Sequence, residues 1–400
     1  MFPPARQIWY GLIWRLLKIL SQFGINHIGK IHLLCSERIP DSSSNSNRTF
    51  FPEETAIRAP NIPEQRFPAR DLYPAVSYSR LENALVTSNR RVAGVICGSR
   101  YFVAKAAETG PWNIKVGELA TGGVLRQANE LLMVAIDESQ QRLPRGIFVG
   151  TWTPHNWFHW TIDTLPSIFL TKLLPEEFSE YPLILPEMVL LRESWREPLE
   201  LLEINRPITY VTADKYTSVS ELIWMDSPTC PGPVPLSSNP YPKFRVHGSA
   251  LRAYRQFMLD KTGLASFEPT AFRKIFLARQ QTGFRPYNQA ELFKVAAEFG
   301  YEAVFLEDLN FPESIKVMLE AESVIGPHGA GWANAIFARP GTHGLMWTWP
   351  ASARDNWFTN IGAVAEMNFH TIFTDLEPES FRLDPGLLHQ ELKKLSRSYL

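Results

Sequence analysis

From about residue 243 onward the chain alternates short apolar runs with longer amphipathic ones. Lys274–Ala278, Ala303–Leu306, Ser323–Ile325, Gly344–Thr348 and Thr371–Phe373 are brief and read as buried strands. Gln289–Phe299, Pro312–Ala321, Ala333–Phe337 and Asp355–Met367 lie between them and read as helices, with Phe244–Lys261 before and Pro385–Leu400 after. Such alternation predicts a parallel sheet covered on both faces, and ligands bind such sheets beyond the carboxyl ends of the strands.

Upstream the pattern is mixed. Arg91–Cys97, Tyr101–Ala104, Leu131–Ile136 and Gly146–Gly150 are short apolar runs parted by turn residues, as in a meander or a sheet edge. An aromatic helix is predicted over Asn156–Leu174. Leu183–Leu185, Glu193–Leu202, Ile208–Val211 and Glu221–Met225 follow in α/β rhythm. Prolines at 228, 231, 233, 235, 240 and 242 exclude a helix or central strand over 227–242, which reads as a linker. A Ser/Asn-rich stretch at 41–47, followed by prolines at 52, 60, 63 and 68, reads as another. The expected organisation is an N-terminal extension over 1–80, an α/β domain over 81–230 and a second over 243–400.

In the extension, Trp9, Leu12, Leu16, Leu17 and Leu20 can share a helix face, with Arg6, Arg15 and Lys18 among the polar positions. Ile8–Leu20 is too short and too charged to span a bilayer. It fits a helix packed on its own domain, and also a peripheral membrane contact.

Composition adds mainly exclusions. A chain of 400 residues suits two cores, and a formal net charge of -1 argues against a nucleic-acid binder working through a basic field. Cys35, Cys97 and Cys230 are far apart and give neither a disulfide framework nor zinc spacing, which suits a reducing compartment. No Asp-x-Asp, His-Glu-x-x-His or Cys-x-x-Cys signals a metal, and neither a Gly-Lys-Ser/Thr phosphate loop nor a Gly-x-Ser-x-Gly elbow is present.

Three segments carry candidate chemistry. Gly326-Pro327-His328-Gly329-Ala330-Gly331-Trp332-Ala333-Asn334 sits where a strand turns into a helix. Glycines let the backbone approach a ligand, and a helix start favours an anion. A tight turn with a buried histidine would read the same way. Arg279 directly follows the Lys274–Ala278 strand, with Arg285 and Asn288 beyond it, and its planar fork suits a phosphate. Asn156, His159 and Asp163 are spaced to share one face of a helix that is otherwise bulky and apolar. They suit either a carboxylate facing a cleft or an N-cap with an internal His–Asp pair.

Together these segments resemble glycosyltransferase family 61. Asn156-x-x-His159-Trp160-x-x-Asp163-x-Leu165-Pro166 resembles one family signature, and Gly326–Asn334 resembles Gly-x-His-Gly-Ala-Gly-Leu-x-Asn. Ile275–Arg279, with Arg285 and Asn288, resembles the strand between them. The likeness spans about residues 90–375. Trp332 stands where the family has Leu, and Ala278 where it has Ser.

The resemblance implies two Rossmann-like α/β domains facing across a cleft (GT-B type), acceptor-side first and donor-binding second. It also implies inverting, metal-independent transfer from a nucleotide sugar, expected to be uridine-linked, to a glycan or polysaccharide hydroxyl, with no further cofactor. Asp163 is then the expected base, oriented by His159. Asn156 and Trp160 take an acceptor-side or orienting part. Arg279, Arg285, His328 and the Gly329, Ala330 and Gly331 amides would meet the leaving diphosphate, and Asn334 would shape the nucleotide pocket. Two other classes fit the same residues: a nucleotide-sugar epimerase and a non-catalytic sugar- or nucleotide-binding module. The expected setting is cytoplasmic, feeding cell-surface polysaccharide, with membrane contact through Ile8–Leu20.

Overall fold

The computed structural model describes residues 4–39, 49–59, 71–88, 93–103, 112–113, 124–150, 156–212, 215–230, 234–235, 244–270, 272–280, 286–350, 356–374 and 382–397. The chain forms two compact units. One comprises Met1–Thr55 with Leu72–Pro240, and the other Ala56–Asp71 with Tyr241–Leu400. Most of both segments read as linkers lies outside the described residues.

The second unit follows its hydrophobic pattern closely. Five parallel strands lie in the order Tyr301–Phe305, Arg273–Ala278, Ala321–Pro327, His343–Thr348, Asn368–Phe373. Numbered along the chain that order is 2-1-3-4-5, a doubly wound sheet whose direction of winding reverses between the first and third strands. Phe276, Ile325, Leu345 and Trp347 fill its core, with Leu292 and Ala296 of the Gln289–Glu298 helix and Leu388 and Leu392 of the Pro385–Arg397 helix.

Two expected helices are corrected. Phe244–Lys261 starts only at Gly248, because Arg245–Val246 is extended, with Val246 bridging Ile57. Buried His247 caps the helix by accepting from the Ala250 amide at 3.3 Å. The helix after the Gly-rich turn is a 3-10 helix over Ala330–Phe337, starting three residues before the Ala333–Phe337 helix expected. The helix expected over Asp355–Met367 covers Trp357–Val364, with Asn356 and residues 365–367 outside it.

The first unit is built on an eleven-stranded mixed sheet. At one end Ile208–Val211, Leu183–Pro186, Glu138–Phe148 and Tyr216–Met225 are parallel neighbours, which is the α/β rhythm read from the sequence. Beyond them Tyr78–Ser88, Ala93–Cys97, Arg100–Val103, Ile31–Arg38, Leu131–Ala135 and Val124–Ala128 pair mostly antiparallel. Tight reversals cause this. Cys97 pairs with Arg100 across Gly98-Ser99, and Ala128 with Leu131 across Asn129-Glu130, with Gly98 and Asn129 both at positive φ. This unit therefore departs from a second fully parallel sheet.

Ile31–Arg38 and most of Tyr78–Ser88 fall in or beside the stretch expected to be an extension, yet both are sheet members. The Pro4–Ser21 helix also packs on this sheet. Trp14 and Leu17 are buried against Leu33 and Met133, while Lys18 and Arg126 lie 5.1 and 5.5 Å from the Trp14 ring centre. Leu17 thus parts from Leu12 and Leu16, which face outward. Among the described residues no helix is long and apolar enough to cross a membrane.

Candidate active site

The aromatic helix is continuous but irregular. Asn156 caps it, its Oδ1 accepting from the Phe158 amide at 2.9 Å. One turn of α-helix, Trp157–His159, opens into a π turn over Trp160–Thr164, and α-helix resumes over Leu165–Leu170. Pro166 accounts for the break, because it has no N–H to return to the preceding turn. Hydroxyls take up the carbonyls there: Thr164 Oγ1 donates to His159 O at 3.2 Å and Ser167 Oγ to Asp163 O at 2.6 Å. π turns of this kind often mark functional positions.

On this turn His159 and Asp163 meet. His159 Nδ1 lies 2.6 Å from Asp163 Oδ2, and both residues are buried, 4% and 3% exposed. The other carboxylate oxygen accepts from Thr229 Oγ1 at 2.6 Å. Ser227 Oγ in turn lies 3.1 Å from Thr229 Oγ1 and 3.3 Å from Ser167 Oγ. A carboxylate oxygen accepts, so His159 Nδ1 is the donor in this bond. Asp163 is thus engaged at both oxygens inside its own unit.

Trp160 is fully buried and stacks on Trp195 with ring centres 5.7 Å apart, so it belongs to the core and not to an acceptor surface. Thr229 and Ser227 were missed because they fall in the segment read as a linker. They follow Tyr216–Met225, so the rule that singles out carboxyl ends of parallel strands applies to them too.

In the second unit, Arg279 and His328 follow the two strands between which the winding reverses. Gly326 lets those strands close up, since a Cβ there would come 2.8 Å from Leu277 Cβ. Gly329 has extended backbone that any residue can adopt, but a Cβ on it would collide with the Arg279 guanidinium. Arg279 Nη2 donates to His328 O at 2.5 Å, and the guanidinium lies 5.9 Å from the Tyr287 ring centre.

Gln289 fixes the arginine's backbone at two points. The Arg279 amide donates to its Oε1 at 2.8 Å, and its Nε2 donates to Arg279 O at 3.1 Å. Tyr287 donates to the same Oε1 at 2.5 Å. Burial pushes the Tyr287 phenol well above its ordinary pKa, against the pull of the Arg279 charge, so it stays a donor. The sequence reading had not singled out Gln289 or Tyr287.

The His328 amide donates to Trp347 O at 2.9 Å, and its ring contacts Phe358 and Trp349, 4.8 and 5.2 Å between centres. Trp332, in the place of the family's Leu, uses its indole N–H to hold Pro327 O at 3.1 Å. Asn334 is 1% exposed. Its Nδ2 donates to Gly331 O at 3.2 Å and its Oδ1 accepts from Ser314 Oγ at 3.4 Å. It braces the turn from behind and does not line a pocket itself.

Asn288 is tied to Leu383, accepting its amide at 3.2 Å and donating to its carbonyl at 2.9 Å. Arg285 lies outside the described residues. Among the described residues no three of His, Cys, Asp and Glu gather as a metal site requires.

A guanidinium laid across a glycine of the turn, beside the first amides of a helix, is an arrangement for holding a phosphate. A buried carboxylate–imidazole pair is an arrangement for accepting a proton. The family model described as glycosyltransferase 61 matches residues 157–345, a span that contains both. No curated protein matches the chain. The family-model match supports membership of glycosyltransferase family 61 and a glycosyltransferase activity.

Proposed function

We propose that the enzyme moves a sugar from a nucleotide-sugar donor, with uridine the first carrier to test, to a hydroxyl of a glycan or polysaccharide acceptor, by single displacement and without a metal. The observation that carries this reading is Arg279 seated on Gly329 at the point where the sheet reverses its winding. Arg279 and the amides of Ala330 and Gly331 meet the charge that develops on the departing diphosphate. Fixed donors of this sort typically contribute about 10²- to 10³-fold each.

In this reading His159 is the base and Asp163 its orienting partner, reversing the roles expected from the sequence. Asp163 has both oxygens engaged, and its bond to Nδ1 fixes the orientation of the imidazole, with Nε2 the ring atom assigned to take the proton. The acceptor O–H proton passes to Nε2 as the oxygen bonds to the anomeric carbon. The bond from that carbon to the phosphate oxygen breaks on the opposite face, and nucleoside diphosphate departs with the electron pair. The network offers one carboxylate, already taken up, which favours inversion over a covalent sugar–enzyme intermediate.

The test is incubation with a panel of nucleotide sugars, with and without glycan acceptors, in the presence of a chelator. Acceptor-dependent release of nucleoside diphosphate and a product of inverted anomeric configuration are expected. Epimerised donor without acceptor would replace this reading with an isomerase, and binding without any turnover would replace it with a carrier or binding module.

A further inference from the structure

The Pro4–Ser21 helix has two apolar faces, and the described residues cover only one. Trp14 and Leu17 are spent on the sheet, yet Ile8, Trp9, Leu12, Leu16 and Ile19 are 48–68% exposed. At positions i, i+1, i+4, i+8 and i+11 these five fall within about 100° of arc, one continuous stripe along the helix. Phe23 and Ile25 extend it past the helix end at 75% and 45% exposed. A stripe of this size on a folded surface needs a partner.

Charge selects the partner. The helix sequence holds Arg6, Arg15 and Lys18 and no acidic residue. Arg15 and Lys18 are exposed; by helical angle Arg15 borders one edge of the stripe, and Lys18 lies further round, beside Trp14. Two copies meeting face to face would bring these like charges together with no acid on the helix to answer them. An anionic bilayer surface answers both features, since apolar side chains enter the acyl boundary while arginine and lysine stay among the phosphates. The aromatic ring of Trp9 suits the interface between the two.

We infer that this helix lies in the plane of an anionic membrane surface, holding the first unit's sheet against it through Trp14 and Leu17. The inference is independent of the transfer reaction. It places the enzyme where acceptors carried on lipid would be within reach.

The test is sedimentation of the full chain with vesicles of phosphatidylcholine alone or mixed with phosphatidylglycerol. The chain is expected to pellet with the mixed vesicles and far less with the neutral ones. Leu12→Gln combined with Leu16→Gln, both on the exposed side, lowers partitioning by more than about tenfold. Arg15→Gln lowers it about fivefold on the anionic vesicles only. Unchanged thermal melting of the variants would show that the fold is intact. Failure of the wild-type chain to pellet, or equal pelleting of the Leu12/Leu16 variant, overturns the inference. So does a concentration-dependent dimer that the same double variant dissolves, since the stripe would then belong to a second copy.

Discussion

The two motif-bearing regions prepare their chemistry by opposite means. In the first unit, the candidate site is built by adding side chains: His159, Asp163, Thr229 and Ser227 form a buried chain of hydrogen bonds on a widened helical turn. In the second it is built by removing one. Gly329 leaves the space that Arg279 fills, and the chain's own backbone receives the guanidinium. A network of side chains tolerates conservative change at its outer members and fails at its centre. A turn defined by a missing side chain fails on the smallest addition.

The largest expected effect is therefore at the centre of the network. His159→Gln should cut turnover by about 10³- to 10⁴-fold, toward the top of what a positioned base supplies, with nucleoside diphosphate affinity unchanged by calorimetry. Gly329→Ala comes next. It should reproduce Arg279→Ala, each costing about 10²- to 10³-fold in turnover and weakening nucleoside diphosphate binding. Because the Gly329 backbone is extended, the alanine should cost little stability, and a matching loss in both variants would tie the effect to the guanidinium.

Thr229→Val removes a hydrogen bond to a carboxylate. It should cost about 1.5–3 kcal/mol, seen as a lowered melting temperature and about a tenfold or greater loss of turnover, with Thr229→Ser restoring most of both. Asn334→Ala should be mildest, costing about 1–2 kcal/mol of stability and raising KM for the donor more than it lowers kcat.

What the sequence revealed of this arrangement follows from how far apart the partners lie. The His159–Asp163 pair and the Gly326–Asn334 turn are local, so spacing alone brings their members together. Arg279 was legible because a strand end is a position that sheet logic marks. Thr229 was not, since it reaches Asp163 across 66 positions from a segment whose prolines suggested a linker. Trp160 was given an acceptor-side or orienting part because a motif does not say which way its bulky members turn, and stacking on Trp195 puts it in the core.

The π turn was invisible because widening the helix changes its hydrogen bonds and not its apolar pattern, though Pro166 marked the place. The long Glu138–Phe148 strand was read only from Gly146, since its first eight residues are exposed or half-exposed and lack an apolar run. The second unit's strands are mostly apolar, and each was located from part of its length, Tyr301–Phe305 and Asn368–Phe373 from their C-terminal residues.

The most direct test of the central claim, that Asp163 acts through His159, is Asp163→Asn, with turnover and nucleoside diphosphate affinity measured on the same preparation across a range of pH. The account predicts turnover reduced by about 10³-fold or more as the imidazole loses its tautomer and orientation, affinity unchanged, and a shifted pH profile for the residual activity. Turnover within a few-fold of wild type, with its pH profile unmoved, would contradict it.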